Sequence, residues 1–390
     1  MKIAVISGGN QSDRKGLFNN VNERIKRLQV VNGFTIDSYI IQFHRNKLLQ
    51  KLKGECNNKK DNFFYADGVN YRSILLKLTF MDSLFISKLR IRSYYQRKKL
   101  LKQVGLFRGY DILLTHTFES NFIGSMVKKK YKIPFVITWH GSDIHTNPFK
   151  NINIKKETKK LIENADYNFF VSRKLLEISD EISANNNKDV LYSGPSNRFY
   201  KYCLDKKTKF KIQTKYAIGF IGNFVPIKNV LVLPHIFLKV SKSISDITYI
   251  IVGDGELNIA LQNKFEKSKL ENVFFLGKQN PESIPDIMNC LDVLVLPSFN
   301  EGLPRVALEA LACGVNVVGS KVGGIPEAIG EKNTYDLNDS FVDNISKRMI
   351  EILNSNEKPN PLPDKFFWDK TIEKEITVYK DILSKNKSYI

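Results

Sequence analysis

The stretch Val293-Leu294-Val295-Leu296-Pro297-Ser298-Phe299-Asn300-Glu301-Gly302-Leu303-Pro304-Arg305-Val306-Ala307-Leu308-Glu309-Ala310 decides the fold. Its apolar opening reads as a buried strand that stops at Pro297. A loop with Gly302 follows, and Pro304 stands where a helix begins, at the first helical position, which proline tolerates best. Free backbone N–H groups at such a helix start attract anions, phosphate above all. Glu301 and Glu309 flank that start. Carboxylates beside a phosphate do not neutralise it; they are suited to accept hydrogen bonds from hydroxyls, as on ribose and a sugar. A phosphate with two polyols implies a nucleotide sugar.

The same strand-then-helix pattern extends in both directions. In the second half, Ala217–Gly222, Thr248–Gly253, Val273–Gly277 and Asn316–Gly319 read as further strands with helical segments between them. In the first half, Lys2–Ser7, Phe34–Phe43, Asp111–His116, Pro134–His140, Tyr167–Val171 and Val190–Tyr192 read as strands. Residues 16–32 carry Phe18, Val21, Ile25 and Leu28 on one helical face, with Gly33 as the stop. Residues 44–70 are polar and read as a loop region, and residues 71–103 as helical. Strands alternating with helices predict an α/β fold with two doubly wound parallel sheets. Tyr200–Lys215, basic and poor in apolar residues, reads as the linker, which places the domain boundary near 195–215.

Composition narrows the class. The 390 residues suffice for two or three domains, and 42% hydrophobic with 26% charged residues is ordinary for a globular chain. No apolar run is long enough to cross a bilayer, and Met1–Ser7 lacks the length of a secretory signal. The four cysteines, Cys56, Cys203, Cys290 and Cys313, form no Cys-x-x-Cys, which fits a reducing cytoplasm and no structural zinc. The net charge of +20 calls for an anionic partner. The densest basic-aromatic segment, residues 88–102, reads as a basic amphipathic helix for an anionic membrane surface on the inner face of the plasma membrane. Nucleic acid is not expected, because no RRM, KH or zinc-knuckle pattern organises the charge.

Pro297-Ser298-x-x-Glu301-Gly302-x-Pro304, with seven residues between Glu301 and Glu309, resembles the signature of glycosyltransferase family 4. Ala312–Val318 and Val322–Glu327 continue the likeness. The resemblance implies the GT-B fold, two Rossmann-like domains facing across a cleft. Residues 1–196 would form the acceptor-binding domain and 197–368 the nucleotide-sugar domain, with helix 369–390 returning to the first.

By the same resemblance Glu309 holds ribose hydroxyls and Glu301 contacts the transferred sugar. Gly302 and Leu303 offer N–H groups to the diphosphate. Gly222–Asn229 is similar to the family's Gly-Arg-x-x-x-x-Lys-Gly segment: Lys228 is kept as the cation on the leaving phosphate, while Asn223 replaces the arginine. Arginine's planar donor fork is lost there, and Arg305 is the candidate to compensate. His140, in Trp139-His140-Gly141-Ser142-Asp143, matches the family's His-Gly-x-Asp motif and faces the donor sugar. His116 and Asp143 are assigned to the acceptor side, the latter as a loop organiser. Gly9 approaches the donor phosphate, and Gly277 and Lys278 the base.

No Asp-x-Asp is present, so neither a catalytic metal nor a resident cofactor is expected. The resemblance implies a retaining transfer from a UDP- or GDP-sugar to a glycan or lipid-linked acceptor, in capsule or lipopolysaccharide synthesis. A nucleotide-sugar epimerase of the same architecture and a non-catalytic donor-binding subunit are the alternatives.

Overall fold

The computed structural model describes residues 1–8, 16–45, 63–78, 94–202, 212–355 and 357–387. The chain divides into two compact units. Unit 1 comprises Met1–Val171, Leu175–Leu191 and Thr371–Ile390; unit 2 comprises Ser172–Lys174 and Tyr192–Lys370. Apart from the brief excursion at Ser172–Lys174, the chain passes between units at Leu191/Tyr192 and Lys370/Thr371, against the expected 196/197 and 368/369.

Unit 1 is built on an eight-stranded sheet. Its strands are β1 (Lys2–Gly8), β2 (Thr35–Arg45), β3 (Phe63–Ala66), β4 (Val69–Leu78), β5 (Ile112–Thr115), β6 (Phe135–Trp139), β7 (Tyr167–Phe170) and β8 (Lys188–Val190). Their order is β3-β4-β2-β1-β5-β6-β7-β8. Every pairing is parallel except β3 with β4. Ile3, Ala4, Val5 and Ile6 are all buried, as a central parallel strand covered on both faces requires. Helix Gly16–Gln29 lays Val21, Ile25 and Leu28 on one face, and helix Trp368–Lys387 adds Ile372, Tyr379 and Ile382 to the same core.

The segment expected to be loop and then helix is different. Residues 63–78 form the β3–β4 hairpin, and among the described residues of 71–103 helix is confined to Tyr94–Leu101 and the short turn at the following Val104. Asp67 (φ 42) and Gly68 (φ 84) make the two-residue turn between the strands. Asp-Gly is the turn whose twist suits a hairpin, and it was the overlooked signal. Tyr71, Ile74 and Leu76 then bury against the sheet, and the Tyr71 hydroxyl donates to Asn22 Oδ1 at 2.9 Å. A short apolar run does not tell strand from helix by periodicity alone.

Unit 2 has six strands: β9 (Tyr216–Ile221), β10 (Ile247–Val252), β11 (Val273–Gly277), β12 (Val293–Leu296), β13 (Asn316–Ser320) and the unanticipated two-residue β14 (Thr334–Tyr335). The order is β11-β10-β9-β12-β13-β14, and all pairings are parallel. One face packs Phe220, Phe224, Phe237 and Tyr249; the other packs Leu294, Leu308, Leu311 and Ile325.

These orders locate the functional ends. In unit 2 the chain winds outward from β9 to β11, then returns to β12 beside β9. In unit 1 it winds from β1 through β2 and returns to β5 beside β1. Loops leaving the carboxyl ends at such a reversal diverge and open a crevice for ligands. The crevices so defined are at Gly222–Lys228 and Pro297–Glu301 in unit 2, and at Gly8 and His116 in unit 1.

Candidate active site

In unit 2 the loop after β9 is pinned before it reaches Lys228. Phe224 is buried in the core; its N–H donates to Asp254 O at 2.9 Å and its carbonyl accepts from Leu257 N at 3.0 Å. The two loops touch at Gly253, where a Cβ would lie 1.8 Å from Gly222 O and φ is +140. Only glycine permits that approach. The Gly253-Asp254-Gly255 loop therefore props the lysine loop.

Pro226–Lys228 form a single tight turn, ended by Asn229 in the left-handed region (φ 50). Asparagine tolerates that conformation better than most residues, so Asn229 stands where the family pattern has glycine. Phe299 N then donates to Ile227 O at 2.8 Å, joining this loop to the one after β12.

That junction sets Lys228 against Glu301. The ammonium bonds Glu301 Oε1, and the buried Ser298 hydroxyl donates to the same oxygen at 2.9 Å. The backbone of Glu301 is held from the other side. Gly324 N donates to Glu301 O at 3.2 Å, and a Cβ on Gly323 (φ +52) would lie 1.8 Å from that carbonyl.

The helix that follows is Arg305–Ala312. Pro304 is its N-cap, with extended backbone at φ −75 and ψ 96, rather than its first helical residue as expected. Pro304 O accepts from Ala307 and Leu308. No side chain caps this end, and first-turn N–H groups of a helix have no intrahelical partner. Ala307, Leu308, Ala310 and Leu311 face the core, which turns Glu309 outward, its side chain 16% exposed. Burial pushes the Glu309 carboxyl above the usual carboxylate range, while the charges of Arg305 and Arg198 pull it back. Arg305 Nη2 lies 3.6 Å from Glu309 Oε1, and its Nη1 is buried without a hydrogen-bond partner.

The remaining unit 2 candidates lie around this group. Gly302 and Leu303 are half-buried between Glu301 and the helix, and Asn223 is exposed at the start of the lysine loop. Gly277 (φ +63) and Lys278 are exposed at the end of β11, where Gly277 O accepts from Gly253 N at 2.9 Å.

Unit 1 contributes a second cluster. His116 follows β5 and His140 follows β6, with His116 Nδ1 and His140 Nε2 3.2 Å apart. His116 is only 1% exposed, so it lies beneath His140. Burial drives its imidazole well below the usual range, helped by the charge of Arg24 and by His140, so it is neutral at physiological pH. The Asp143 carboxylate accepts from Gly141 N at 2.8 Å and from His140 N at 3.5 Å, which shapes the loop that carries His140. Burial raises the Asp143 carboxyl, against the pull of those backbone donors. A Cβ on Gly8 would meet Thr117 Oγ1 at 3.1 Å, so the end of β1 lies against the start of helix Phe118–Tyr131. Gly9 lies outside the described residues, as do residues 88–93 of the basic segment.

Arg24 was missed. It is wholly buried, donates to Thr138 Oγ1 at 2.9 Å, and faces Glu375 Oε2 at 3.4 Å. The signal was an arginine inside the apolar Val21–Ile25–Leu28 face of the first helix.

Two family models match the chain: "Glycosyl transferases group 1" over residues 204–364 and "Glycosyl transferase 4-like" over 72–172. An uncharacterised glycosyltransferase of Methanocaldococcus jannaschii is 28% identical over 303 residues, 73% of this chain and 79% of that one. The UDP-Gal:α-D-GlcNAc-diphosphoundecaprenol α-1,3-galactosyltransferase of Escherichia coli is 25% identical over 320 residues, 75% of this chain and 80% of that one. Among solved structures, Anabaena HepE in complex with UDP-glucose superposes with a TM-score of 0.67 over 99% of both chains at 16% identity. Two parallel-sheet α/β units of this kind define the GT-B class of glycosyltransferases. Within that class the chain belongs to glycosyltransferase family 4.

Proposed function

We propose that the enzyme transfers a hexosyl group from a UDP-sugar to a hydroxyl of a lipid-linked glycan in cell-surface polysaccharide synthesis, with retention of anomeric configuration and without a metal. UDP is preferred to GDP because the E. coli relative is named for a UDP-sugar donor and a diphosphoundecaprenol-linked acceptor. The observation that carries the reading is the Lys228–Glu301 pair, set by the Phe299–Ile227 backbone bond beside the uncapped start of helix Arg305–Ala312.

In this reading the diphosphate takes Lys228 from Glu301 and lies over the helix start, where fixed N–H dipoles and one ammonium stabilise the charge that grows on the leaving phosphate. Glu301, released from Lys228, accepts hydrogen bonds from the transferred sugar. Glu309 does the same for ribose, and the charge of its neighbour Arg305 offsets part of the cost of burying a carboxylate there. The unpartnered Arg305 Nη1 makes this residue the replacement for the arginine that Asn223 lacks. For His140, backed by neutral His116 in unit 1, the role of hydrogen-bonding partner to a sugar rests on the family motif alone. Gly302 and Leu303 offer backbone donors to the diphosphate, and Gly277 and Lys278 serve the base.

Thermal shift tests this reading. UDP at one hundred times its dissociation constant should stabilise the protein by about 2.7 kcal/mol. GDP should do so less, and Lys228→Ala should remove most of the effect. A UDP shift no larger than that of inorganic phosphate would refute it.

A further inference from the structure

The peptide that leaves β6 past His140 runs into two short helices and a longer one: Ser142–His145, Asn147–Lys150 and Ile152–Asn164. Asn151 stands between the last two. Its side chain accepts from Asn153 N at 2.9 Å and Ile154 N at 3.4 Å, which fixes the corner. Two apolar side chains flank that corner in the open, Phe149 at 47% and Ile152 at 64% exposure.

The long helix buries Thr158, Leu161 and Ile162. Its outer face runs Ile152, Lys156, Lys159, Lys160, at helical steps of four, three and one, and all four are exposed. Lys155 Nζ lies 5.0 Å from the Phe149 ring centroid, so the aromatic ring is itself within a cationic surround. The acids of this helix offset its charge only in part: Glu157 is engaged by Arg97 from helix Tyr94–Leu101, and Glu163, 3.8 Å from Lys159, balances that one lysine and leaves Lys156 and Lys160. Exposed Lys129 and Lys130 extend the basic character at the end of helix Phe118–Tyr131.

A solvated basic helix needs no exposed phenylalanine and isoleucine at its head. Apolar side chains at a rigid corner, with lysines along the face behind them, have the chemistry of an interfacial element. The apolar pair enters the acyl boundary while the ammonium groups meet anionic headgroups. We propose that this corner, Phe149 to Lys160, docks unit 1 on an anionic lipid bilayer. Phe149 is nine residues beyond His140, so the docked element is continuous with the strand end that carries that residue. A lipid-carried acceptor would then be held in the same interface. The docking itself stands independently of the donor site.

The test is co-sedimentation of the full chain with vesicles of phosphatidylglycerol and phosphatidylcholine, against phosphatidylcholine alone, at low and high salt. Binding should require the anionic lipid and weaken with salt. The double variant F149S/I152S should lower binding at least about tenfold, and K156E/K159E should lower it by about fivefold or more per lysine. The UDP-induced thermal shift should be unchanged in both, which separates this result from failure of the donor site. K156E/K159E keeps the apolar pair, and so decides the question should F149S/I152S fold poorly. Equal binding by wild type and the lysine variant, or equal binding to neutral vesicles, would overturn the proposal. So would binding to single-stranded RNA without binding to vesicles.

Discussion

Replacing Glu375 by glutamine tests the packing of unit 1 most severely. Arg24 and Glu375 have side chains 1% and 0% exposed, and no other carboxylate is paired with Arg24 among the described residues. Glutamine keeps the shape and leaves an acceptor for the Tyr379 hydroxyl, which donates to Glu375 Oε1 in the wild type. What it removes is the countercharge, leaving a buried guanidinium held only by Thr138. Removing one partner of a buried pair costs about 3–5 kcal/mol. In a unit of roughly 200 residues each kcal/mol moves the midpoint by about 2–4 °C, so unit 1 should melt about 6–20 °C lower. Trp139, wholly buried beside Thr138, reports that transition by fluorescence in a Trp368→Phe background. The apolar double variant R24M/E375L should recover most of the loss, because neither charge is then left without its partner. A Glu375→Gln midpoint within about 2 °C of wild type would refute the reasoning. So would a double variant no more stable than the single one.

Three further predictions concern unit 2. Gly323→Ala places a methyl group 1.8 Å from Glu301 O at φ +52, so it should displace Glu301 and lower transfer at least about tenfold. Gly330→Ala, at φ +83 with open space around it, should cost about 1 kcal/mol and leave transfer intact. Arg348 and Lys332 hold Glu357 at a pKa of about 2. Because the folded value lies below the unfolded one, this contribution is complete above about pH 4.3 and is lost as pH falls toward 2. Acid titration of unfolding should therefore be shallower across that window in Glu357→Gln than in wild type. Equal slopes would contradict the assignment.

The strands of both sheets were legible because buried parallel strands are written as short continuous apolar runs, such as Ile3–Ile6 and Val293–Leu296. The order of strands was not, since nothing local in β9 says that β12 returns beside it. The hairpin at 63–78 was misread because its apolar run suits either period, although Asp67-Gly68 carried the turn. Around Lys228 and Glu301 the motif placed both residues at strand ends. Their direct pairing depends on the Phe299–Ile227 bond, which no spacing rule contains. His116 was legible as a strand-end histidine, but its burial under His140 depends on how β5 and β6 pair. Arg24 was overlooked because its partner lies hundreds of residues away, on the last helix.

The most direct test of the account is sugar transfer from a UDP-sugar by Lys228→Ala and Glu309→Ala. The account predicts that each loses about a hundredfold or more in kcat/KM, the scale of removing one stabiliser of developing charge, while the melting midpoint is kept. Wild-type transfer by both variants would contradict it.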